Sequence, residues 1–165
     1  MSGAVKDLGP CRVLYNSVDL GATRGGVVFR YTEESRPVVE DQGGVTPLDE
    51  IMVGSMTEVE MTLTRAALGK LAQIIGSASY SGALLAVSNN TVGLSMYDNA
   101  QALVIKPIVS GVASADTGTW LTCLKAYPRV DMEVQYDNEN QRLYKVIFKC
   151  FPDASTGNRI WKIGA

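Results

Sequence analysis

The sequence predicts a mainly β fold, an antiparallel β-barrel or sandwich with one short flanking α-helix. Three observations predict it. Runs rich in β-branched and aromatic residues recur about eight times along the chain. Only one segment carries apolar residues at helical spacing. No βα alternation of the kind that builds a parallel sheet is present. At 165 residues the chain fits a single domain spanning residues 1–165, since domains commonly run about 100–200 residues, and no internal repeat or linker divides it.

The elements follow in order. Cys11–Tyr15 reads as a first strand, followed by the turn-rich Asn16-Ser17-Val18-Asp19-Leu20-Gly21. Val27–Thr32 is a strand by its β-branched and aromatic content, and Glu33-Glu34-Ser35 connects it to Arg36–Glu40 as a hairpin. Asp41–Ser55 then mixes turn formers with apolar residues, and at about 15 residues it approaches the upper limit for a structureless loop. Its Val45, Pro47, Leu48, Ile51 and Met52 have no evident place in a monomer's core. Met56–Thr64 is the clearest strand: Val59, Met61 and Leu63 alternate with Glu58, Glu60 and Thr62, giving one apolar face and one acidic, wet face.

Thr64 suits an N-cap, and Arg65–Ile75 carries Leu68, Leu71, Ile74 and Ile75 at helical spacing, with Gly76 suited to the C′ position. From Ser77 to Ala100 the chain is rich in Ser, Gly, Asn and Ala, and only Ala83–Val87 and Gly93–Met96 read as short strands or loop edges. Ala102–Val109, Thr119–Tyr127, Asp131–Tyr136 and Leu143–Phe151 are stronger strands. Asp137-Asn138-Glu139-Asn140 joins the last two as a polar hairpin turn. In Leu143–Phe151, Tyr144, Val146, Phe148 and Cys150 share one face, and Lys145, Ile147 and Lys149 the other. Arg159–Ile163 reads as a short final strand.

Composition narrows the chemistry. The chain has no histidine, which removes His-dependent hydrolase triads, imidazole proton shuttles and imidazole zinc sites. Charged residues make up 19%, below the usual quarter, as suits a surface partly buried against other subunits. The net charge is −2 and no Lys/Arg cluster is present, so nucleic-acid binding through a concentrated basic footprint is not expected. Cys11, Cys123 and Cys150 are widely spaced, which predicts reduced, buried thiols rather than a disulfide framework or zinc knuckle. Met1–Gly9 lacks the apolar region of a signal peptide, and Ala102–Ala113 is interrupted by Lys106-Pro107 and too short to span a bilayer, so no membrane insertion is expected.

No constellation carries a reaction. Gly21-Ala22-Thr23-Arg24-Gly25-Gly26 lacks the Gly-Lys-Ser/Thr ending of a phosphate loop and precedes a strand, so it reads as a turn. Glu58 with Glu60, and Asp131 with Glu133, are spaced as paired carboxylates are, but a solvated strand face is the commoner outcome of that spacing. The expectation is a protein that is not an enzyme and uses no cofactor or metal.

The ordered series Asn16–Gly21, Thr23-Arg24-Gly25-Gly26-Val27, Asp41-Gln42-Gly43 with Thr46-Pro47-Leu48-Asp49, and the alternating Glu58–Thr64 strand before a short helix resembles the major tail proteins, or tail tube proteins, of tailed bacteriophages. The likeness covers about residues 10–76. It implies a structural virion protein that assembles into hexameric rings, stacked head-to-tail into a tube through which DNA passes without specific binding. It implies as partners a tape-measure protein, a tail terminator and tail tip or baseplate proteins, with the subunit in the host cytoplasm during assembly and in the virion tail afterwards. It also implies a long loop reaching a neighbouring subunit or ring, here at 41–55, with Val45, Pro47, Leu48, Ile51 and Met52 as its contacts. If the wet strand face lines the lumen, Glu58 and Glu60, with Glu133 and Asp131 if their strand joins it, form a negative wall that repels phosphate. The competing expectations are a tail terminator, an inner tube of a contractile injection device, a monomeric β-barrel binding module with a pocket at 77–100, and an enzyme using carboxylates or a thiol.

Overall fold

Strands form where apolar residues recur at every second position, because each such run buries one face against the same core. The computed structural model describes residues 9–64, 67–89, 91–133 and 142–164. They form β1 (Cys11–Tyr15), β2 (Val18–Asp19), β3 (Thr23–Val38), β4 (Asp49–Leu63), α1 (Leu68–Ile74), β5 (Ala78–Ser81), β6 (Leu84–Val87), β7 (Gln101–Val109), β8 (Val112–Ala113), β9 (Leu121–Asp131), β10 (Tyr144–Phe151) and β11 (Trp161–Ile163). The fold is mainly β, antiparallel and accompanied by one short helix, as the sequence predicts. The main sheet runs β2-β1-β7-β9-β10-β4-β3, with β11 on β9 and β8 on β7. Its two ends do not pair, so no closed barrel exists among the described residues, and β5–β6 form a separate two-stranded sheet.

One face of the main sheet supplies the core. Val13 and Tyr15 of β1, Val59, Met61 and Leu63 of β4, Leu103 of β7, Cys123 and Ala126 of β9, and Val146 and Phe148 of β10 are all buried, and Leu71 and Ile74 of α1 close over them. Phe148 stacks at a tilt on Tyr15, ring centroids 5.1 Å apart. Cys123 and Ala126 are three residues apart yet both face inward. The β7–β9 register absorbs one extra β9 residue between Leu103↔Cys123 and Gln101↔Ala126, and such a bulge restores the inward direction.

Several elements differ from the sequence reading, each for a physical reason. Val27–Thr32 and Arg36–Glu40 do not form a hairpin with each other. Val27–Thr32 and Arg36–Val38 belong to the single strand β3, which pairs with β4 along its length, and Val39 and Glu40 lie just beyond it. Glu33-Glu34-Ser35 is polar but holds no Gly, Pro, Asn or Asp, and in a ribbon wet on both faces polarity does not mark a turn. The segment 41–55 is correspondingly only half a loop: Asp49–Ser55 lie within β4, and the tip between Val38 and Asp49 contains a short 3-10 turn at Asp41–Gly43. Gly25 and Gly26 occupy the left-handed region (φ 81° and 85°) inside β3, where the register jumps between Thr23↔Leu63 and Val27↔Met61. They form a bulge rather than an inter-strand turn.

The helix runs Leu68–Ile74 with Ala67, not Thr64, at its N-cap; Arg65 lies outside the described residues. Gly93–Met96 forms turns rather than a strand. Thr119–Tyr127 and the start of Asp131–Tyr136 merge into β9, which continues through Pro128. The Ala126 carbonyl accepts from the Tyr15 hydroxyl (3.2 Å) on the side away from β10, and Pro128, two residues on, faces the same way. There β7 has already ended opposite Ala126, so the missing proline N–H costs no ladder bond. The predicted turn at Asp137–Asn140 lies outside the described residues.

Candidate functional site

Two surfaces stand out: a projecting hairpin and the wet face of the sheet from which it grows. Every residue from 30 to 56 is exposed. From Thr32↔Met56 to Val38↔Asp49 the two strands pair only with each other, so they form an arm of about 20 Å at the usual rise per residue. The register shifts between Glu34↔Gly54 and Ser35↔Met52, leaving Val53 as the extra residue of a bulge that twists the ribbon. Val45 is 96% exposed, and Leu48, Ile51 and Met52 are each more than half exposed. The structure therefore places these residues, with the exposed Pro47, on one projecting element. It adds Val38, Val39 and Met56, also exposed, which the sequence by itself assigns to separate strands. Contiguous apolar exposure of this kind marks an interaction surface.

Glu58 and Glu60 lie on the wet face of β4, but they are not a bare acidic pair. Arg30 of β3 faces Glu58 in register, and Lys149 of β10 faces it from the other side. Arg30 Nη1 reaches Glu60 Oε2 at 3.1 Å, Lys145 Nζ reaches Glu60 Oε1 at 2.7 Å, and Lys149 Nζ stands 3.9 Å from Glu58 Oε1. The hydrogen bond from Lys145 above all, with Arg30 adding to it, holds the Glu60 carboxyl below its ordinary range. A cross-strand ladder of alternating sign results. The negative wall expected from these carboxylates is thus largely neutralised within one subunit. Asp131 faces Lys145 in register on β9. Glu133 is exposed two residues past the end of β9, and β10 separates its strand from β4, so it does not join Glu58 and Glu60. The cations were detectable in principle: Lys145 and Lys149 share one face of their strand just as Glu58 and Glu60 share theirs, but pairing the two needs the β4–β10 register.

The chemistry-bearing groups elsewhere are engaged structurally. Asp19 accepts from Arg12 Nη1 at 2.7 Å and from the Gly21 N–H at 2.8 Å. Burial pushes its carboxyl up, but these two donors outweigh it and leave it below the ordinary range. Burial pushes Tyr15 up to about 12. A hydrogen bond to Cys150, together with burial, holds the Cys123 thiol neutral, and burial raises Cys11 as well. No described group of His, Cys, Asp and Glu gathers as metal donors, and no helix among the described residues is long and apolar enough to cross a membrane. The segment 77–100 contributes only Leu94 and Asn99 to a cavity of about 270 Å³ beside Tyr15, Gln73 and Tyr127. That volume falls below the usual range of ligand sites, about 300–1,000 Å³. A larger groove of about 710 Å³ lies at the other end of the sheet, lined by Pro107, Ile108, Val112, Leu121 and Ile163.

No protein-family model matches this sequence, and no curated protein matches it.

Proposed function

We propose that the chain is a structural virion protein, the tail tube subunit of a tailed bacteriophage, which assembles into stacked, hexameric rings that conduct DNA. The observation that carries this reading is the arm: an element of more than twenty residues, apolar at Val45, Leu48, Ile51 and Met52, with no contact partner in its own subunit's core. Ordering such a ribbon alone in water is marginal, and docking on a neighbour supplies the missing burial. The open edges of the sheet support the same reading. β3 ends one side of the path, and on the other β2 covers only Leu14 and Tyr15 of β1. Exposed edges invite pairing, and a ring of copies consumes them.

In the tube the wet face of β3, β4 and β10 lines the conduit. Its ion-paired ladder neither grips phosphate nor strongly repels it, so DNA slides past without specific binding. Tape-measure, terminator and tip or baseplate proteins bound the stack, because head-to-tail stacking does not terminate by itself. Electron microscopy of the purified chain tests the proposal: tubes or stacked rings are expected. Single rings that never stack would assign it to a terminator, and a strictly monomeric species at high concentration would overturn the assembly reading.

A further inference from the structure

Charge is divided unevenly between the arm and the rest of the molecule. Residues 32–56 hold six carboxylates, Glu33, Glu34, Glu40, Asp41, Asp49 and Glu50, against the single cation Arg36, a net of −5. The whole chain is −2, so the remainder is +3. The arm therefore presents apolar side chains within an acidic field, and its complement is a cationic surface with some apolar area.

One such surface lies at a definite place in the sheet. Arg12 of β1 and Lys106 of β7 are register partners, so two cations stand opposite each other across a strand pair, an unfavourable arrangement without an anion nearby. Lys162 of β11 joins them. It is in register with Thr122, which pairs with Val104, which pairs with Leu14, so by strand alternation it shares their face. Arg12 is answered by Asp19. Lys106 lies 3.6 Å over the Trp120 ring, and neither Lys106 nor Lys162 pairs with a carboxylate among the described residues. Leu14, Val104 and Ile108, all partly exposed, alternate with these cations.

The registers also fix where this surface sits relative to the arm. The arm leaves the sheet beyond Thr57, which faces Cys150; Phe151 then faces Lys125, and β9 runs on in the same direction to Leu121, opposite Ile105. Arg12 and Lys106 are therefore at the arm's end of the sheet but toward its opposite edge, while Lys162, on the β10 side of β9, is at the same end but nearer the arm-bearing strands. An arm and a receiving surface at the same end of the strands meet when copies are related by rotation alone, the condition for a closed ring.

We infer that the acidic arm of each copy docks on the Arg12–Lys106–Lys162 surface of a second copy beside it. This rests on the assembly reading above and adds the receiving surface and its electrostatic character. Glu50 meets the lysines, while Leu48 and Met52, at alternate positions with it and so on the same face of the ribbon, cover Leu14, Val104 and Ile108.

The test uses the full chain. Zero-length carbodiimide coupling of assembled protein, mixed from isotopically light and heavy subunits, is expected to link Asp49 or Glu50 of one copy to Lys106 or Lys162 of another. Paired Asp49→Lys and Glu50→Lys are expected to raise the protein concentration needed for assembly about tenfold, as are paired Lys106→Glu and Lys162→Glu, and all four together to restore it to within about threefold. Near-UV circular dichroism checks that each variant is folded. Lys162→Glu with Glu50→Lys is the reserve pair that leaves the Trp120 contact intact. Tubes whose cross-links run elsewhere, a four-fold variant no better than its parents, or a Lys106/Lys162 variant that assembles normally but loses affinity for duplex DNA would overturn the inference and leave the tube reading standing. A wild-type chain that stays monomeric would overturn the tube reading itself.

Discussion

Gly76 follows α1 where a helix-terminating glycine is expected, yet its backbone is not in the left-handed region. The constraint there is contact: a Cβ on Gly76 would run into the Tyr127 hydroxyl, which packs the end of α1 against β9. Gly76→Ala is expected to cost about 1–2 kcal/mol by overpacking, and Tyr127→Phe added to it to recover most of that, measured by chemical denaturation. An unchanged midpoint for the single variant would show that Tyr127 swings aside freely. Individual carboxylates also depend on their settings. Asp19 is held ionised by the Gly21 N–H and Arg12, and Asp153 lies below its ordinary range chiefly through the Ser155 hydroxyl and N–H.

Among the secondary structure elements, β3, β4 and β10 share the ion-paired ladder, and its pH dependence has a definite sign. The folded-state pKa of Glu60 is depressed, so its contribution is present above the ordinary carboxylate range and is lost as pH falls through the lowered value. Stability is expected to hold from pH 7 to 5 and to decline below about pH 4. Denaturation midpoints across that range check it, and Glu60→Gln should flatten the decline; an equal slope in both proteins would remove the ladder from the account. Substituting Gln at both Glu58 and Glu60 would leave Arg30 and Lys149 uncompensated on the same face, while Lys145 keeps Asp131 opposite it.

The molecule consists of a core-bearing sheet and an arm that contributes nothing to that core. Replacing Glu33–Ser55 by an Asn-Gly turn, which suits a two-residue hairpin, is therefore expected to change the subunit's stability by less than about 1 kcal/mol while abolishing assembly. Thermal denaturation and sedimentation velocity check the two halves of this expectation. Loss of folding would show that the arm supports the core, and intact tubes would show that it does not mediate contacts.

The core strands could be read directly from the residues. Cys11–Tyr15 appears with the expected bounds, and Val59, Met61 and Leu63 are buried as their alternation required, as are Val146 and Phe148. Burial on one face imposes a period of two on the sequence, and that period is local. The arm escaped because both its faces are wet: Glu33-Glu34-Ser35 and Asp49–Ser55 show no alternation, and only mutual pairing makes them strands. The passage of β9 through Pro128 depended on where a distant strand ends. The character of the acidic face was likewise settled by register, since Glu58 and Glu60 are two residues apart in sequence whereas Arg30, Lys145 and Lys149 reach them only across two strand pairings. Local periodicity thus determined which residues build the core and that the fold is antiparallel β. The tertiary structure decided what the surface charges meet and how far the arm projects, because partners brought together from remote segments leave no trace in the spacing of either one.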